Sequence, residues 1–391
     1  MLGWELPPHN SGGLGIACYQ LCKALSKQDV DIEFVLPYAA DYGADFMTVT
    51  ATHPDGFDVT KQLFTAYDSQ RYGGWLAANG QGELYEQAVL RLAEKKQFDI
   101  VHAHDWLTFR AALRVKELKH CPIILHVHSV ESDRAGRPEG NPLVQEIESL
   151  AMHMADQVVA VSEHTKQAIM RDYDIPGDKI EVIHNSIDID TLPPLDDVNA
   201  YRYLTVMKSL GYRVVVNVGR LTVQKGLPNL LRAAQKVIAR EPKTLFLIVG
   251  SGEQYRELVE LAAELGIGAN VLFAGFQRGK NWRDAFAIGD LFVLPSVSEP
   301  FGLTPLEAVG YGTPALISKQ SGVSEVLKNC LKVDFWDIDE MANLIASVVA
   351  NEPLRRELWQ NAYQEYTKLS WDEAGSKVTQ LYKRHAAGAA V

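Results

Sequence analysis

Cysteine is scarce in this chain: four residues in 391, Cys18, Cys22, Cys121 and Cys330. No two of them have C-x-x-C spacing. So few cysteines in a chain this long argue against a disulfide scaffold, and the four read as reduced, buried thiols. No run reaches the roughly 18–20 apolar residues that cross a bilayer. Where a secretory signal would put a basic and then a long apolar stretch, the chain has Glu5 and Pro7-Pro8, so cytoplasmic residence is expected. Positive charge is also short. Lys and Arg number 38 against 49 Asp and Glu, a net charge of −11, which argues against nucleic acid or an anionic membrane as a general partner. Short-period repeats and low-complexity tracts are missing too.

What is present is an alternation of short apolar runs and amphipathic segments. At 391 residues two domains are the default, because a single core stops growing below that size. Strand and helix units of this length predict an α/β fold in which two Rossmann-like domains, each with a mostly parallel sheet, face one another. In the first half strands are expected at Met1–Trp4 (a stub), Val30–Leu36, Ile100–Ala103, Ile123–Val127, Gln157–Val161 and Ile180–Ile183. Helices are expected between them, among them Leu14–Lys27 and Glu83–Lys96. The stretch from Tyr38 to Tyr85 is less periodic and rich in Gly, Asp and Thr, and reads as excursions at the mouth of a sheet. Glu131–Asn141 reads as a loop. Leu192-Pro-Pro-Leu-Asp-Asp197 is the natural boundary, giving domains at 1–197 and 198–370, with a last helical segment at 371–391.

Ligands in such sheets sit beyond the carboxyl ends of the strands, so residues just after each strand carry the candidate chemistry. Gly12-Gly13 follows the first strand stub and precedes a helix, where glycine lets the backbone approach an anion. The run has neither the P-loop lysine and hydroxyl nor G-x-G-x-x-G spacing, and a plain tight turn is the competing reading. Arg220 and Lys225, in Gly219-Arg-Leu-Thr-Val-Gln-Lys-Gly226, combine a rigid fork of donors with a mobile point charge, suited to a diphosphate. Cations just ahead of a helix oppose its dipole, so a bound anion explains them better than helix stability does. Gly250, Gly252 and Phe276 each follow a strand and could admit or line a nucleotide.

The sharpest run is Glu299-Pro-Phe-Gly-Leu-Thr-Pro-Leu-Glu307. Glu299 lies in the loop after a buried strand and has no evident cap to make, so a carboxylate accepting sugar hydroxyls is expected. Phe301, Gly302, Leu303 and Thr304 lie just ahead of a helix, where backbone donors could hold phosphate oxygens. Thr304, Pro305 and Glu307 read as N-cap, N1 and N3 of that helix, with Glu307 reaching back in a capping box. His102 and His104, and His126 and His128, are pairs at strand spacing. A zinc reading lacks further ligands at a distinctive spacing. Hydrogen bonding to a sugar suits His128, at the strand end, while His126 reads as a core residue.

Taken together these residues resemble the retaining glycosyltransferases of family GT4, with the GT-B fold. The resemblance spans essentially the whole chain and rests on Gly12-Gly13-Leu14, His102-Ala-His104-Asp105-Trp106, His128-Ser129, Gly219-Arg220 with Lys225-Gly226, Gly250-Ser251-Gly252 and Glu299 through Glu307. It implies that Arg220 and Lys225 meet the diphosphate of a nucleotide-sugar, with Gly12 and Gly13 approaching it. It also implies that Glu299 and His128 contact the transferred sugar and Glu307 the ribose, that residues 1–197 bind the acceptor and 198–370 the nucleotide-sugar, and that the helix at 371–391 crosses back to the first domain. Trp4-Glu5-Leu-Pro-Pro8 and His104-Asp105-Trp106 look like the glycogen and starch synthase-like branch, which uses ADP-glucose or UDP-glucose. That branch carries a lysine where this chain has Asn10, so disaccharide-, glycoside- and glycolipid-forming relatives stay open. Native residues are expected upstream of Met1, which falls inside the usual first strand. Transfer of a hexose with retention, without a cofactor or metal, is the expected reaction; a nucleotide-sugar 2-epimerase and a non-catalytic nucleotide-binding protein are the alternatives.

Overall fold

Short runs of Val, Ile, Leu and Phe, buried on both faces, form the strands, as parallel sheets covered by helices require. The computed structural model describes residues 1–10, 12–53, 72–188 and 192–388. They divide into unit 1, residues 1–186 and 370–391, and unit 2, residues 187–369.

In unit 1 the elements are α1 (Gly13–Ser26), β1 (Glu33–Tyr38), β2 (Thr48–His53), α2 (Tyr72–Lys95), β3 (Val101–His104), α3 (Trp106–Lys119), β4 (Ile123–Val127), α4 (Glu131–Ala135), α5 (Pro142–Met154), β5 (Gln157–Ala160), α6 (Glu163–Tyr173) and β6 (Ile180–Val182). Parallel pairing runs β2-β1 and β3-β4-β5-β6. Leu2 joins the two sets by bridging Val35 and Ala103 in parallel, donating to the His102 carbonyl at 2.8 Å and accepting from His104 N–H at 3.0 Å. With residue 2 counted as the first strand, the order is that of a doubly wound nucleotide-binding sheet.

Unit 2 contains α7 (Arg202–Ser209), β7 (Arg213–Val218), α8 (Leu227–Arg240), β8 (Thr244–Val249), α9 (Tyr255–Glu264), β9 (Val271–Gly275), α10 (Gly279–Ala287), β10 (Leu291–Leu294), α11 (Thr304–Gly310), β11 (Ala315–Ser318), β12 (Leu331–Val333), α12 (Ile338–Ala350) and α13 (Glu352–Tyr366). Its sheet is β9-β8-β7-β10-β11-β12, all parallel. The order reverses between β7 and β10, and that switch point is where such sheets open a crevice for ligands. The last helix, α14 (Trp371–Gly388), belongs to unit 1. There it packs Trp371, Ala374, Val378 and Leu381 with Leu21, Cys22 and Leu25 of α1, and Lys27 Nζ donates to Asp372 at 2.8 Å.

Three features depart from the sequence expectations. The supposedly irregular stretch after Tyr38 holds β2, whose Thr-Val-Thr-Ala-Thr-His run alternates β-branched residues rather than clearly apolar ones. Helix α2 starts at Tyr72 instead of Glu83; four glycines in its first eleven residues lower helix propensity and hid its start. Residues 54–71 of the same stretch lie outside the described residues. The loop from Glu131 begins with the short helix α4. Among the described residues no helix is long and apolar enough to cross a membrane.

Candidate active site

The carboxyl ends of β7 and β10 bring the cations and the carboxylates of unit 2 together. After β7 the chain makes a 3₁₀ turn at Val223–Lys225, which puts Lys225 next to the loop leaving β10. Lys225 Nζ donates to Glu299 Oε2 at 2.6 Å, and Ser296 Oγ donates to the same oxygen at 3.0 Å. Glu299 is only 7% exposed, so this pairing compensates a carboxylate that burial alone would disfavour. The ion pair bridges the switch point. Arg220, partly buried at the end of β7, makes no hydrogen bond or ion pair with any described residue. An unpaired guanidinium at the carboxyl end of β7, the strand whose following turn carries Lys225, is suited to an anion brought from outside.

Close backbone approach fixes these strand ends. Gly250 has φ +145, and a Cβ there would lie 1.7 Å from the Gly219 carbonyl oxygen; only glycine fits. At Gly219 a Cβ would meet nothing within 4 Å, so the chain is open on that side. Gly252 is held against the backbone of Leu221. Gly302 has φ +98, which turns the chain into α11. The N–H groups of Gly302 and Leu303 meet no acceptor among the described residues, leaving donors free beside Glu299. The Phe301 ring is buried, its carbonyl accepting from Val323 N–H at 2.7 Å. Phe276 is 43% exposed after β9, with the Arg278 guanidinium 5.1 Å over its ring.

Glu307 requires a correction. Helix α11 has Leu303 as its N-cap with no side-chain cap bond, so Thr304 is N1, Pro305 is N2 and Glu307 is N4. The capping box expected from the sequence does not form, because the helix begins one residue early and leucine has no cap oxygen. Glu307 is instead 7% exposed, and its carboxylate accepts no hydrogen bond from a described residue. Burial pushes its pKa up to about 8.

In unit 1, Gly12 is an extended N-cap and Gly13 opens α1; a Cβ at Gly12 would meet nothing within 4 Å. The four histidines stack in two layers on β3 and β4. His104 Nδ1 lies 3.0 Å from His128 Nε2, His102 Nε2 lies 3.3 Å from His126 Nδ1, and His102 Nδ1 lies 2.6 Å from the Tyr382 hydroxyl of α14. Burial holds His102, His104 and His128 well below the ordinary imidazole range and His126 at about 3, so all four are neutral.

Sequence reading assigned no job to Asp105, yet its carboxylate fixes the turn that carries His128. Its Oδ1 accepts from the N–H groups of His128 at 2.7 Å and Ser129 at 3.3 Å. Its own backbone sits at φ +59, ψ 167, a region nearly reserved for glycine that costs on the order of 1–3 kcal/mol. Burial raises the Asp105 carboxyl to about 7 against the opposing pull of Arg134. Arg134 in turn donates to the Ser129 carbonyl and hydroxyl at 3.0 and 2.9 Å, to Glu131 at 3.0 Å and to Glu148. The only sequence signal for these partners was Asp105 in the His-Asp-Trp run; Arg134 and Glu148 stand alone among ordinary loop and helix residues.

A doubly wound unit repeated twice, with two cations and a buried carboxylate at the second unit's switch point, defines the class: a GT-B glycosyltransferase that uses a sugar nucleotide. Known proteins agree. The family models described as Glycosyltransferase Family 4 and Glycosyl transferases group 1 match residues 11–191 and 207–365, and the chain belongs to this glycosyltransferase family. It is 29% identical to an uncharacterized glycosyltransferase of Methanocaldococcus jannaschii over 98% of this chain and 97% of that protein. It is 26% identical to a glycogen synthase of Mycobacterium tuberculosis over 98% and 93%. HepE of Anabaena, solved in complex with UDP and glucose, superimposes with a TM-score of 0.72 at 19% identity over 98% of this chain and 99% of that one.

Proposed function

We propose that the chain transfers a hexose, glucose first among them, from UDP-glucose or ADP-glucose to a sugar or glucan hydroxyl with retention of the α configuration. The observation that carries this reading is the Lys225–Glu299 pair at 2.6 Å across the β7/β10 switch point, with the unpaired Arg220 at the end of β7. Likeness to a glycogen synthase and to a protein solved with UDP and glucose supports the choice of sugar and donor.

In the proposed reaction the donor's diphosphate takes Lys225 from Glu299 and engages Arg220 and the N–H groups of Gly302 and Leu303. The carboxylate so released accepts hydrogen bonds from sugar hydroxyls, while Glu307 accepts them from the ribose. His128 is proposed to touch the transferred sugar. The glycosidic C–O bond to the diphosphate breaks as those donors take up the developing charge. The acceptor oxygen bonds the anomeric carbon on the same face, and its proton passes to the departing phosphate oxygen. Two carboxyl groups acting as acid and base, as in glycosidases, are not part of this scheme.

The test is a matrix of UDP-, ADP- and GDP-sugars against carbohydrate acceptors, scored by nucleotide release and product mass. Acceptor-dependent release from a glucosyl donor is expected; release that ignores the acceptor, or binding without turnover, contradicts the reading. Because protein cations stabilise the leaving group, turnover is expected to persist in EDTA. Loss in EDTA with recovery on adding Mg²⁺ or Mn²⁺ would show that a metal shares that task.

A further inference from the structure

We propose that unit 1 carries a site for one thiolate-preferring divalent cation, formed by Cys18 of α1, His104 at the end of β3 and His128 just past β4. One donor atom from each residue lies within 4.8 Å of the other two. His104 Nδ1 and His128 Nε2, 3.0 Å apart, are already close to the roughly 3.3 Å edge of a tetrahedron built on Zn–N bonds of about 2.0–2.1 Å. Cys18 is 1% exposed and outside any disulfide. The α1 thiol was invisible to spacing arguments, because it lies far from both histidines in the chain and reaches them only through the fold.

The chemistry of the donor set favours a cation here. The facing nitrogens His104 Nδ1 and His128 Nε2 share one hydrogen bond, which a cation would replace; the ring protons would then sit on His104 Nε2 and His128 Nδ1, which have no hydrogen-bond partner among the described residues. Burial first, then Cys22 and the carboxyl groups of Asp105 and Glu5, hold the Cys18 thiol well above its ordinary range, so the sulfur keeps its proton until a cation displaces it. A mixed set of one sulfur and two imidazole nitrogens selects Zn²⁺, or Co²⁺ in its place, over Mg²⁺ or Ca²⁺. The neighbouring set His102, His104 and His126 is a poorer candidate. It has no sulfur, and His102 Nδ1 is held at 2.6 Å by the Tyr382 hydroxyl, a group outside the set.

Binding breaks the Cys18 S–H bond, forms a metal–sulfur bond and releases the proton to solvent. Three protein ligands leave the fourth tetrahedral position open to water. Resting on the reading of His128 as a sugar contact, occupation of this site withdraws that side chain and inhibits transfer. The cation is therefore a brake and not a participant in the reaction.

The experiment uses the full chain, Zn²⁺ and Co²⁺. Equilibrium dialysis with metal analysis is expected to find one bound Zn²⁺ per chain, and Co²⁺ to add a thiolate-to-cobalt charge-transfer band. Cys18→Ala is expected to weaken Zn²⁺ by more than about 100-fold, the upper range for outer-shell groups, and to abolish the band, while Cys121→Ser keeps both. Absence of stoichiometric binding, or a Co²⁺ complex without the thiolate band, overturns the site; the wild-type spectrum decides this even if Cys18→Ala does not fold. Zn²⁺ is expected to inhibit the wild type reversibly by EDTA and to spare Cys18→Ala, whose basal turnover is unchanged. Thiolate-bound metal without inhibition upholds the site and refutes instead the sugar contact of His128.

Discussion

Arg220→Ala is expected to lower kcat by about 10²–10³, the loss seen when one preorganised charge stabiliser is removed from a developing anion, while leaving Tm within a degree or two of wild type. The reason for the split is structural. Arg220 has no hydrogen bond or ion pair with a described residue to lose, so its removal costs little in the free protein and its work is done in the transition state. Lys225→Ala is expected to lose as much turnover but to behave differently in folding. It leaves the Glu299 carboxylate, 10% exposed at its side chain, with the Ser296 hydroxyl as its one remaining donor among the described residues. That costs on the order of 1–3 kcal/mol, short of the 3–5 kcal/mol of a fully buried pair. Adding Glu299→Gln to Lys225→Ala is expected to recover Tm and not kcat. Saturation kinetics and thermal denaturation on the three variants separate the two effects. Near-wild-type turnover in both Arg220→Ala and Lys225→Ala would sink the diphosphate assignment.

Glu307→Gln is expected to raise stability while weakening donor binding. Burial raises the folded-state pKa of Glu307 from 4.5 to about 8, so between those values the native chain holds a proton that the unfolded chain has released. Stability from this group is therefore fully present below about 4.5 and falls as pH rises through about 8. At pH 7 the penalty is on the order of 3 kcal/mol, and a neutral amide removes it. The Tm advantage of Glu307→Gln should thus widen from about pH 5 to about pH 8 and level off above. Donor hydroxyls on the carboxylate favour its ionised form. Nucleotide binding to the wild type should accordingly release a proton near pH 7, which calorimetry in buffers of different ionisation enthalpy detects. The same release from Glu307→Gln, or a Tm difference independent of pH, would remove Glu307 from the donor site.

Much of the frame was legible because parallel strands announce themselves as compact β-branched runs. Ile123–Val127 stands where the sequence put it, and the strands expected at Gln157–Val161 and Ile180–Ile183 each end one residue sooner, at Ala160 and Val182. Where polarity and periodicity separate, legibility failed: threonine-rich β2 and the glycine-rich start of α2 carry the wrong composition for their structure. At the site, strand ends predicted where Arg220, Lys225 and Glu299 gather, since each follows a readable strand. Their pairing was not predictable, because Lys225 and Glu299, 74 positions apart, are brought together only by the strand order. Glu307 shows the opposite failure. A local capping pattern existed in the sequence, and a one-residue shift in the helix start emptied it, turning a presumed surface cap into a buried carboxylate.

Hexose transfer itself is tested most directly by following one reaction mixture of UDP-glucose, an acceptor sugar and the chain by proton NMR. The expected result is loss of the donor's α-anomeric signal matched by a new α-anomeric signal on the acceptor, with UDP formed in equal amount. A β-configured product, or free glucose formed at a rate indifferent to the acceptor, would contradict the account.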